Sequence, residues 1–142
     1  MKYLITAAIV GLLAGPVLAG GHETGDAEKG KKAFNKCKSC HMIEDGAGNK
    51  IVKGGNTGPN LYGVIGKQIA SADYKYGASI TAVGETGAVW EYDNFIAYVN
   101  NPKGWLQETL DQTSAKSKMS YKLKKGVDDI YAYLVSVAPP AE

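Results

Sequence analysis

Apolar residues recur at helical spacing in three stretches of the chain. From Asp26 to Cys40, Ala27, Gly30, Phe34 and Cys37 stand three or four residues apart, which predicts a helix with Asp26 as its N-cap. Gly30 lies one turn before Phe34, so it leaves bare backbone beside an aromatic ring where a second helix can cross closely. Phe95, Ile96, Tyr98 and Val99 share a face over Asp93 to Asn101, and Pro102 stops that helix. Val127, Ile130, Leu134 and Val137 define the last helix, with Asp128 and Asp129 in its first turn and Pro139-Pro140 ending it. A shorter helix is expected around Gly77 to Val83, and a turn begins at Gly104-Trp105-Leu106.

The segments between carry no sustained period. Met42 to Thr57 is rich in Gly, Asn, Asp and Lys and reads as a surface loop, closed by the turn-rich Gly58-Pro59-Asn60-Leu61-Tyr62-Gly63. Leu106 to Gly126 reads as a long polar loop, and loops of that length inside a small domain are usually functional or disordered. No paired alternating segments predict a sheet, so the expected class is all-α with large loops.

Residues 1–19 are different in kind. One lysine precedes an apolar stretch broken by Gly11, Gly15 and Pro16, then Val17-Leu18-Ala19, a pattern that suits cleavage by a secretory peptidase after Ala19. The uninterrupted apolar run is shorter than the roughly 20 residues a spanning helix needs. The expected organisation is a cleaved signal peptide over 1–19 and one domain over 20–142. The 142 residues are 44% hydrophobic and 21% charged, an ordinary globular balance that argues against a disordered chain. All 16 basic residues are lysines against 14 acids, and a net +2 is too small to indicate a nucleic-acid binder.

Cys37-Lys38-Ser39-Cys40-His41 carries the chemistry. C-x-x-C-H is the attachment signature of c-type haem: two thiols on one helical turn add to two vinyl groups, and the next residue sits under the iron. Rival readings are weaker. Zinc would need further ligands, with only His22 left as a nitrogen donor, and a thiol oxidoreductase would need a βαβ setting. A plain disulfide is the third alternative.

For the second axial position, His22 lies in a glycine-rich lead and Met42 directly follows the proximal ligand, so it cannot reach the other face. Met119 is flanked by Lys118 and Ser120 in a polar loop, an unusual place for a gap-filling methionine. It is the expected sixth ligand, and a thioether there raises the reduction potential relative to a second imidazole.

The motifs GKKAFNKCKSCH, TGPNLYGVIGK, AVW, FIAYVNNPKGW, KSKMSYKLKK and DDIYAYL, in that order, resemble class I c-type cytochromes, most closely the longer bacterial cytochrome c2 group. The resemblance implies a single domain in which the N- and C-terminal helices cross, Gly30 and Phe34 meeting Tyr133 and Leu134, wrapped around one haem c held by two thioethers. It implies that the Pro59 carbonyl accepts the ring N–H of His41. Tyr76 and Trp90 would donate to the propionates, Tyr98 would lie near the Met sulfur, and Ser117 would support it. Lys67 stands where many relatives carry arginine near a propionate, so a bidentate contact is lost. Tyr121 replaces a common phenylalanine at the haem edge.

With both axial positions filled, the expected chemistry is one-electron exchange through the haem edge, without catalysis of its own. Lys116, Lys118, Lys122, Lys124 and Lys125 occur in a stretch without an acid, and Lys36 and Lys38 flank Cys37. These lysines are expected to ring the haem opening and to dock transiently on acidic surfaces of membrane redox complexes. The expected role is a monomeric periplasmic carrier from a cytochrome bc complex to an oxidase or a photosynthetic reaction centre. A haem enzyme or gas sensor with a displaceable Met119, and a docking domain of a larger complex, are the competing classes.

Overall fold

The computed structural model describes residues 25–138; the expected signal peptide, His22 and Pro139-Pro140 lie outside them. The first helix, α1, spans Ala27–Ala33. Asp26 caps it by accepting from the backbone N–H groups of Glu28 and Lys29 at 2.9 and 3.0 Å. The helix ends earlier than its apolar stripe predicts, because the chain tightens into a 3₁₀ turn at Phe34–Lys36. A bond from the His41 N–H to the Cys37 carbonyl at 3.0 Å keeps the C-x-x-C-H segment in one helical turn.

The surface loop after Met42 contains a small antiparallel hairpin, β1 (Ile43–Glu44) and β2 (Lys50–Val52). It was invisible to period counting because its strands are too short to alternate. Its turn is set by Asp45, whose carboxylate accepts from the N–H groups of Ala47 and Asn49, both at 2.9 Å.

Three further helices follow: α2 (Ala78–Glu85), α3 (Tyr92–Asn100) and α4 (Pro102–Thr109). Pro102 ends α3 and also opens α4, where a missing N–H costs nothing. The polar stretch expected from Leu106 is therefore helical through Thr109, with Leu106 fully buried. The final helix, α5, spans Val127–Val137 as its stripe predicts, entered through Gly126 at φ 78°, a conformation that suits only glycine well.

Helix α1 crosses α5 at Gly30. A Cβ there would lie 1.8 Å from the Asp129 carbonyl oxygen, so the two backbones are as close as they can be. Beside the crossing, Phe34 meets Tyr133 edge-on at 5.9 Å between ring centroids, and both are buried. Phe34, Ile69, Val83, Leu106, Ile130 and Leu134 form the centre of one continuous core.

Candidate functional site

One large cavity, of about 420 Å³, opens on the side of the molecule bounded by the Cys37–His41 turn and the segment Lys116–Tyr121. That volume lies in the range of cofactor sites. Cys37, Cys40, His41 and Met119 all line it, together with Pro59, Tyr76, Trp90, Tyr98 and Ser117. Apolar walls come from Leu61, Val64, Ile80, Phe95 and Leu106.

The His41 ring is fixed from behind. Its Nδ1–H donates to the Pro59 carbonyl at 2.8 Å, which sets the tautomer and leaves Nε2 with the free lone pair. Burial holds its pKa below the usual imidazole value, while the Pro59 bond acts in the opposite direction. Gly58 presses against the same ring: a Cβ at this position would stand 2.4 Å from His41 Cε1. The glycine-rich stretch is thus packed rather than loose, with the N–H groups of Gly55 and Gly58 donating to the carbonyls of Lys38 and Cys40 at 2.9 and 2.8 Å.

No disulfide joins Cys37 and Cys40, and their surroundings differ sharply. Burial pushes Cys37 up to about 11, whereas Cys40, exposed, is lowered by hydrogen bonds from Thr57 and Ser39. Among the described residues no group of three or more His, Cys, Asp or Glu converges to hold a metal.

Met119 is carried by the cavity-lining segment Lys116–Tyr121, which is tied at several points. The Lys116 N–H donates to Ser79 Oγ at 3.0 Å, and the Leu123 N–H donates to the Val99 carbonyl at 3.1 Å. The Lys118 ammonium donates to the Lys75 carbonyl and lies 5.7 Å from the Tyr74 ring centroid. Ser117 Oγ and the Tyr98 hydroxyl are 3.5 Å apart, and burial raises the Tyr98 pKa. Ala115 and Leu123, both buried, flank Met119 at four-residue spacing; lysine and serine neighbours hide that apolar rhythm in the sequence.

Lys67 sits beside the large cavity rather than on its lining. It is exposed and lines a separate small pocket of about 60 Å³ with Tyr76 and Trp90 on the shared wall. Tyr121 lies at the cavity rim, 48% exposed. All seven lysines expected to dock partners are exposed; Lys36, Lys116 and Lys118 line the cavity, whereas Lys38, Lys122, Lys124 and Lys125 do not. Sequence reasoning missed Gly58, Thr57, Tyr74 and Ile80. The Gly58-Pro59 pair was the available signal, since glycine before proline suits a close approach as well as a turn.

Two thiols and a tautomer-fixed imidazole on one apolar cavity are what C-x-x-C-H attachment of a haem requires, and Met119 lines the same cavity. Comparison with known proteins agrees, because the Cytochrome c family model matches residues 27–138. The chain belongs to the cytochrome c family. It is similar to cytochrome c-551 of Roseobacter denitrificans, 57% identical over 88% of this chain and 87% of that one. Cytochrome c2 of Rhodobacter capsulatus is 48% identical over 96% of this chain and 98% of its own. Among solved structures, ferric cytochrome c-550 from Paracoccus versutus superposes with a TM-score of 0.79 at 50% identity, covering 81% of this chain and 99% of that one. The protein is therefore a class I c-type cytochrome close to cytochrome c2, an electron carrier whose cofactor is covalent haem c. The predicted all-α domain with crossing terminal helices is the one observed, with the β1–β2 hairpin added.

Proposed function

We propose that this cytochrome is a mobile periplasmic one-electron carrier, shuttling from a cytochrome bc complex to an oxidase or reaction centre. In this reading Cys37 and Cys40 form the thioethers and His41 and Met119 are the axial ligands. The single observation that carries it is that these four side chains, from two distant segments, line one cavity. When bound, haem c supplies reversible one-electron chemistry at a potential set by its axial ligands and surroundings.

The chain's own residues support that role. Pro59 holds the His41 ring so that Nε2 faces its task without reorganisation. The apolar walls exclude water and lower the local dielectric. Tyr76 and Trp90 lie on the wall shared with the small pocket, and they would donate to the propionates. Lys67 serves that side through charge rather than through a bidentate contact. Lys36, Lys38, Lys116, Lys118, Lys122, Lys124 and Lys125 supply the cationic surface for acidic partners. No described helix is long and apolar enough to cross a membrane. Residues 1–19 provide the route of export.

The deciding experiment is an absorption spectrum of the purified protein, oxidised, dithionite-reduced, and reduced under CO. A low-spin c-type spectrum that CO leaves unchanged is expected for two protein ligands. A CO-induced shift would show an open sixth position and overturn the carrier reading in favour of a sensor or enzyme.

A further inference from the structure

An aromatic ladder leads from the cavity wall to the outside of the helix α3–α5 contact. Trp90 and Phe95 line the cavity, with their rings edge-on at 6.3 Å between centroids. Phe95 meets Tyr131 of α5 at 5.6 Å, and Tyr131 meets Tyr92 of α3 edge-on at 5.2 Å. At the far end the Tyr92 hydroxyl donates a hydrogen bond to Asp128 Oδ1. Tyr92 and Asp128 are both half-buried.

Phenol oxidation is governed by where its proton goes. A phenol that has lost an electron becomes a strong acid, so the tyrosine already bonded to a carboxylate is the easiest to oxidise. Among the described residues only Tyr92 makes that contact. The Tyr74 hydroxyl donates to the Thr57 carbonyl, a poor base, and Tyr98 faces the Ser117 hydroxyl.

We propose that Tyr92 is a second, proton-coupled one-electron site of this cytochrome, with Asp128 as its proton acceptor and Tyr131 and Phe95 linking it to Trp90. A one-electron oxidant of high potential takes one electron from Tyr92. The O–H bond breaks, the proton passes to the Asp128 carboxylate, and a neutral phenoxyl radical faces a neutral carboxylic acid. Reduction returns one electron to the ring and the proton to the phenol oxygen. Such a site draws oxidising equivalents away from the cavity to a place where they do no damage to the Met119 thioether.

The test is flash–quench oxidation of the ferric holoprotein with photogenerated tris(bipyridine)ruthenium(III), read by electron paramagnetic resonance of frozen samples. Radicals trapped with 2-methyl-2-nitrosopropane are mapped in parallel by peptide mass spectrometry. A phenoxyl signal and a trap adduct on Tyr92 are expected, with loss of that signal in Tyr92→Phe. In Asp128→Asn the adduct should move to Tyr131 or Trp90. An adduct on the exposed Tyr121 or another tyrosine in the unsubstituted protein would overturn the proposal, as would one that stays on Tyr92 in Asp128→Asn. Mapping the unsubstituted protein decides the matter even if a variant does not fold.

Discussion

The Pro59 carbonyl accepts the Nδ1–H of His41 at 2.8 Å while Gly58, the residue before it, leaves no room for a Cβ against the same ring. One dipeptide therefore supplies both the orienting bond and the close wall. Replacing Gly58 with Ala would place a carbon 2.4 Å from His41 Cε1, well inside any real contact. The ring must tilt or the turn must move, at a cost of about 1–3 kcal/mol by analogy with overpacked cores. We expect Gly58→Ala to lower the denaturation midpoint and perturb the low-spin absorption spectrum together; an unchanged spectrum would show that His41 is not held this way.

Gly30 offers a test in which two effects oppose each other. Alanine gains about 0.8–1 kcal/mol over glycine in a helix interior. Its Cβ would meet the Asp129 carbonyl oxygen at 1.8 Å, however, and a backbone atom within α5 cannot swing aside. Separating the helices also loosens Phe34 from Tyr133. Gly30→Ala should therefore be net destabilising by about 1–3 kcal/mol, seen as a lower urea midpoint with an unchanged slope.

How much of this was legible in the sequence depends on the range of the interaction. The stripe Val127, Ile130, Leu134, Val137 and the C-x-x-C-H spacing are local patterns, and helix α5 and the haem-attachment turn follow from them. In the sequence Pro102 marks a stop, yet the same residue suits the first turn of α4, and only tertiary burial of Leu106 selects that outcome. The β1–β2 hairpin depends on an Asp45 turn and a strand pair two or three residues long, below the reach of period counting.

Tyr98 should leave a signature in the pH dependence of stability. Burial raises its phenol pKa above the ordinary 10.0, partly offset by Ser117. A raised folded-state value means the folded protein holds the proton longer than the unfolded chain does. The corresponding stabilisation is complete below about pH 10 and is lost as pH rises through the folded pKa. The stability difference between the native protein and Tyr98→Phe should be flat from neutral pH to about 10 and shift against the native protein above it. A flat difference throughout would show that the phenol is not selectively protonated in the fold.

Exposed lysines act on encounter more than on the final complex. Reversing charge at Lys36 and Lys124, one at the cavity edge and one beyond it, should leave the absorption spectrum intact. Reaction with a purified cytochrome bc complex should slow by about tenfold at low ionic strength, since steering commonly raises association by that factor or more. The gap should close as salt shortens the screening length to a few ångströms. Stopped-flow rates that are flat with salt in both proteins would remove the docking role.

Met119 can be replaced without collapsing the segment that carries it. Lys116 is tied to Ser79, Lys118 to Lys75, and Leu123 to Val99 and the core, so the cavity-lining segment has independent anchors. Truncation to alanine removes the thioether while leaving these in place. We expect Met119→Ala to bind CO when reduced and to show a lower reduction potential, because a thioether favours the ferrous state. Folding should survive with a loss of about 2–5 kcal/mol, the usual cost of removing a buried methionine, reduced here by its partial exposure. An unchanged potential together with no CO binding would mean that another residue occupies the sixth position, and Met119 would then serve only as part of the cavity wall.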